Sequence, residues 1–151
     1  MPAVQTTYSN FANPSFLGMI ANGEWLTNII SRIVDPSAAV AINFGDPVLQ
    51  GSSEQTVVSA NGGTGVFRGI AIRDVTLPPN FGDQYPADAT LGVMNKGVIW
   101  VNASVAVTPG QSVYFTAAGL WTNVATGNTA VANALWESAT ATAALAKLRL
   151  S

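Results

Sequence analysis

The chain has 151 residues, enough for one domain of ordinary size with a core of its own. It contains no Cys and no His, which excludes disulfides, thiolate and imidazole metal sites and the usual nucleophile-base pairs. Only 9% of residues are charged, against about 25% in a typical soluble domain, and the net charge of -2 with no Lys/Arg cluster speaks against nucleic-acid binding.

Residues 1–24 read as an N-terminal arm. The stretch is polar or small, it carries no charge up to Gly23, and Pro2 and Pro14 prevent a continuous helix. Tyr8, Phe11, Phe16, Leu17, Met19 and Ile20 are spaced along it and need a surface to lie on, either on the arm's own domain or on a neighbour. No segment approaches the ~18 apolar residues of a membrane span, and the first residues lack a signal-peptide pattern. The expectation is a protein made in the cytoplasm that does not enter a membrane.

From Trp25 to the end, residues 25–151, the pattern predicts one all-β domain of short strands and turns. Runs at Thr27 to Val34 and Ala38 to Phe44 are separated by Asp35-Pro36-Ser37, a turn signature, and Gly45-Asp46-Pro47 closes the second run. Glu54 to Ala60 and Val66 to Val75 flank Asn61-Gly62-Gly63-Thr64-Gly65 and predict a hairpin. A phosphate-binding loop would need a following helix and a Lys, and neither is present, so those glycines signal a turn.

Leu77 to Thr90, with Pro78, Pro79, Gly82 and Pro86, predicts a long loop. Leu91 to Val107 reads as a strand pair or one long bent strand, with a turn at Asn95-Lys96-Gly97. Further strands are expected at Gln111 to Thr116 and Leu120 to Val124. The last third is rich in Ala, and a helix is the alternative there, but Leu148 and Leu150 alternate with Lys147 and Arg149 as in a half-buried strand. Two strands, Ala130 to Glu137 and Ala144 to Leu150, are therefore predicted. Reversals about every ten residues are the rhythm of a β-sandwich or barrel.

Candidate chemistry is sparse. Asp83 and Asp88 share the long loop with Tyr85, and Lys96 and Lys147 sit in a turn and in the polar phase of a strand, which are the places of ordinary surface groups. No enzyme activity, cofactor or metal is expected. Four tryptophans, Trp25, Trp100, Trp121 and Trp136, could stack on sugars or belong to a core or interface.

Several short motifs occur in a telling order. They are Ile42 to Val48 (Ile-Asn-Phe-Gly-Asp-Pro-Val), Phe67 to Asp74 (Phe-Arg-Gly-Ile-Ala-Ile-Arg-Asp) and Tyr85. Lys96 to Val101 (Lys-Gly-Val-Ile-Trp-Val), Val107 to Tyr114 (Val-Thr-Pro-Gly-Gln-Ser-Val-Tyr) and Ala146 to Leu150 (Ala-Lys-Leu-Arg-Leu) follow. In that order the chain resembles the structural cement proteins of tailed phages. The resemblance implies a single-domain β-barrel or jelly-roll-like sandwich that decorates the outside of the expanded head and stabilises it against the pressure of packed DNA. Its expected partners are the major capsid protein and other copies of itself, as a dimer or trimer on the shell, and its expected location is the virion. Tyr8, Phe11, Phe16, Leu17, Trp25 and Tyr85 are the candidate interface residues. A receptor- or glycan-binding module of a phage tail or fibre is the alternative.

Overall fold

The computed structural model describes residues 15–77 and 81–151. Among them are twelve strands and no α-helix, so the helical alternative for the last third is not realised. In chain order they are β1 (Ile20–Asn22), β2 (Asn28–Val34), β3 (Ile42–Asn43), β4 (Pro47–Gln50), β5 (Thr56–Ser59) and β6 (Phe67–Ala71). After these come β7 (Gln84–Tyr85), β8 (Thr90–Ala103), β9 (Ser112–Phe115), β10 (Trp121–Thr122), β11 (Thr129–Trp136) and β12 (Ala144–Leu150).

The long strand β8 organises the molecule. Its first half closes one ring of pairings, running β8, β2, β5, β4, β6 and back to β8. Its second half closes another, running β8, β12, β11, β9, β10 and back to β8. Of the two expected architectures, the barrel is the one that forms, because ring closure removes sheet edges that a sandwich would leave open. The halves meet at Gly97, whose φ of 130° is one that L side chains rarely adopt; a Cβ there would lie 3.1 Å from the Thr27 side chain. Asn95-Lys96-Gly97 is therefore not the expected turn but a bend inside one continuous strand.

Each ring has its own packed interior. Val34, Val48, Val57, Leu91 and Val93 fill the first, closed off by Ile42, Phe44 and Tyr85. Ile99, Val101, Val113, Phe115, Trp121, Trp136 and Leu148 are among those filling the second. Adjacent residues of the shared walls go to different cores: Val48 and Leu49, Ala71 and Ile70, Val93 and Met94. Successive side chains of a strand point to opposite faces, so these strands are buried on both sides. The Phe67 ring lies 5.9 Å from Phe115 and 6.3 Å from Trp121, and Trp121 Nε1 donates to Gly45 O at 2.7 Å, joining the two interiors.

Several expectations need correction. The Asn61 to Gly65 loop does not make a hairpin: β4 lies between β5 and β6 and pairs with both, Val48 opposite Ser59 on one side and Gly69 on the other. The reason is that Pro47 does not end the preceding run; it opens β4, a position where its missing N–H costs nothing. The expected strand Ala38 to Phe44 shrinks to β3, which pairs with β7 inside the expected loop. By contrast, β12 has the predicted bounds and alternation, with Ala146, Leu148 and Leu150 buried and Lys147 and Arg149 on the other face.

Turn chemistry behaves as read at Asp35. Its carboxylate accepts from Ser37 Oγ at 2.6 Å, Ser37 N at 3.0 Å and Ser52 N at 2.7 Å. These bonds, those of Ser37 first and then those of Ser52, hold it well below the usual carboxylate range.

Candidate docking surface

β1 and β2 run consecutively along β8 in the same antiparallel sense, with Asn22 opposite Val98 and Asn28 opposite Lys96. Between them, residues 23–27 leave the sheet. Thr27 N donates to Glu24 O at 3.0 Å, which closes the excursion as a turn. Trp25 stands at its tip with 92% of its surface exposed, and Leu26 beside it is also exposed.

The excursion is anchored by charge. The Glu24 carboxylate accepts from Arg149 Nη2 at 2.9 Å and Nη1 at 3.1 Å, the two-pronged geometry that fixes direction as well as distance. Arg149 also donates through Nε to Glu137. Glu137 first and Glu24 second hold the guanidinium in its charged form. The register explains the reach, since Val98 of β8 pairs with Asn22 on one side and Arg149 on the other. The tip is therefore drawn across β8 toward β12.

On the opposite flank of β1 lies an open apolar cleft of about 520 Å³ lined by Phe16, Gly18, Met19, Ile20, Ile72, Arg73 and Val75. One wall is tied to β8 and the two walls to each other by backbone bonds: Gly18 N donates to Trp100 O at 2.8 Å, and Arg73 N donates to Gly18 O at 2.7 Å. The Arg73 guanidinium sits 5.3 Å from the Phe16 ring centre and 5.2 Å from that of Phe44, and reaches Asp83 at 3.3 Å. Phe16 is 49% exposed and Val75 83% exposed. These exposed apolar side chains make the cleft a candidate contact surface.

The structure sorts the six expected interface residues. Phe16 lines the cleft, Leu17 is half-buried against the first core, and Trp25 is at the tip. Tyr8 and Phe11 lie outside the described residues. Tyr85 is a correction: it is 0% exposed, packs edge-on against Phe44 at 5.2 Å, and donates its hydroxyl to Ile72 O at 2.7 Å. A side chain with no free surface holds this fold together and meets no partner. Met19 and Ile20, read from the sequence as surface-seeking residues of the arm, also line the cleft, whereas Leu26, Ile29, Ile72 and Val75 were not singled out by sequence reasoning, because an aliphatic residue in a strand-like run looks the same whether exposed or in a core.

The tryptophans divide likewise. Trp121 and Trp136 are interior, Trp100 is half-buried under Lys147 Nζ at 5.3 Å, and Trp25 is displayed. They form no common stacking platform. Among the described residues, no group of three acidic side chains converges as metal ligands would.

Comparison with known proteins gives this surface a context. The family model described as structural cement protein (E217 gp24/Pam3 gp6) matches residues 4–151. The chain belongs to this phage cement protein family. A chain in the solved structure of the capsid of Myoviridae phage XM1 is similar to this cement protein, with a TM-score of 0.73 and 21% identity, over 100% of this chain and 98% of that one. At that identity the likeness is one of fold. No curated protein matches this cement protein in sequence.

Proposed function

We propose that this cement protein binds the outer surface of the expanded phage head and stabilises it against internal DNA pressure, in contact with the major capsid protein and with neighbouring copies of itself. The observation that carries the reading is the family match across residues 4–151. Its role is structural and non-catalytic. The mechanism is linkage: a protein that binds only the mature shell lowers the free energy of that shell by mass action, and many copies multiply a modest contact.

The Trp25 tip and the neighbouring apolar cleft are the surfaces this reading assigns to docking, with Phe16 and Leu17 at the root of the arm. A large, exposed aromatic is the side chain that contributes most when desolvated at the centre of an interface. Few charges suit such a role, because uncharged surface is cheaper to strip of water.

Purified protein added to undecorated expanded heads is expected to bind saturably and to raise the temperature of genome release. The Trp25→Ala variant should keep the parent melting temperature, since the side chain is 92% exposed, while its binding to heads weakens at least tenfold, about 1.4 kcal/mol. Absence of saturable binding by the parent protein would refute head decoration. Full binding by the variant would remove Trp25 from the docking surface.

A further inference from the structure

The tripeptide Ala-Asn-Gly occurs twice, at Ala21-Asn22-Gly23 and at Ala60-Asn61-Gly62. Asn followed by Gly is the pairing most prone to a spontaneous reaction. The backbone nitrogen of the glycine attacks the asparagine side-chain carbonyl carbon, a C–N bond forms, the C–N bond to the amide breaks, and ammonia leaves with the proton from the attacking nitrogen. The five-membered imide is then opened by water to give aspartate or isoaspartate. Glycine permits this because it has no side chain to crowd the ring closure.

Local chemistry is the same at the two tripeptides, so the fold alone distinguishes them. At the second, Gly62 N donates to Ala117 O at 3.0 Å, Asn61 bridges to Ala118, and Asn61 N donates to Ser59 Oγ at 3.1 Å. The attacking nitrogen is committed to an acceptor, and the backbone on both sides is held. At the first, Gly23 N has no backbone partner among the described residues, and Gly23 is exposed with open space around it. Asn22 ends β1 at a point where the pairing register with β8 is already irregular, and no hydrogen bond from its side chain occurs among the described residues. From Asn22 onward the chain enters the excursion that carries Trp25.

We infer that Asn22 is a selective deamidation site, and that Asn61 is protected by the fold. Conversion places a carboxylate two residues from Glu24, beside the Glu24, Arg149 and Glu137 cluster. The isoaspartate form also routes the backbone through the side chain, adding one carbon between β1 and the tip.

The test incubates the folded protein at mildly alkaline pH and follows both sites by peptide mapping, with isoaspartate quantified by enzymatic methyl transfer. A denatured sample run in parallel supplies the intrinsic rates. Asn22 should convert several-fold faster than Asn61 in the folded protein, with the difference collapsing on denaturation. Gly23→Ala should slow conversion at Asn22 several-fold without lowering the melting temperature, because a Cβ crowds the ring closure but meets nothing within 4 Å in the fold. Equal folded-state rates, or faster conversion at Asn61, would overturn the inference.

Discussion

Tyr85 shows how a single side chain can be misassigned by its surroundings in the sequence. It sits between Gln84 and Pro86 in a segment rich in Pro and Gly, where an aromatic residue looks displayed. In the fold, two residues of that segment pair with β3, which turns the ring inward to close one end of the first barrel. Burial first, and the Asp74 charge second, push its hydroxyl up to about 12. The unfolded chain ionises near 10, so between these values it has released a proton that the folded chain retains. Stability is therefore fully present below pH 10 and lost as pH rises through about 12, by roughly 2 to 3 kcal/mol in total. In denaturant titrations Tyr85→Phe should lose about 1 kcal/mol at neutral pH, from the missing bond to Ile72 O, and should show a flatter alkaline decline. An unaltered alkaline profile would show that another group controls it.

At the scale of elements, legibility followed how many faces a strand buries. β12 buries one face, so Leu148 and Leu150 alternated visibly with Lys147 and Arg149 and its bounds were correct. β4 buries both, and Val48 next to Leu49 gave no period to read. Its Pro47 then looked like an ending. The partners of β4 were beyond reach because strand pairing is a property of distant segments, and a loop of Gly and Asn specifies a reversal without saying whether a third strand will slide between. The same limit applied to the candidate docking surface: the uncharged run before Glu24 suggested a surface-seeking arm, but the meeting of Phe16 with Ile72 and Val75 depends on the bond from Arg73 N to Gly18 O. Closure of the first ring makes one demand that substitution can probe. A Cβ at Gly69 would stand 2.3 Å from the Met94 carbonyl oxygen, a backbone atom, at a φ of 146°. Gly69→Ala should thus cost roughly 3 kcal/mol or more in chemical denaturation, and a loss below about 1 kcal/mol would mean that β6 stands off from β8.

For the whole molecule, the shared strand has an energetic meaning. Because β8 walls both rings, and because Leu49, Ile70 and Met94 of the first ring pack into the second core, neither interior survives alone. The protein should unfold in one transition, with the Trp121 environment and the Tyr85 environment lost at the same denaturant concentration. Two resolved transitions would show that the rings are separable units. The pairings that close the rings join segments far apart in sequence, such as β2 with β8 and β10 with β8. Folding is accordingly expected in the slow range of β-rich domains, milliseconds to seconds.

The Trp25 excursion leaves the sheet through β1 and re-enters through β2, both laid against β8, and Glu24 clamps it to β12. A tug on the indole is therefore divided between two ladders and an ionic brace before it reaches either interior. Such a fitting spreads mechanical load into the body of the molecule instead of peeling away a single end, which is what a fastener on a pressurised container requires.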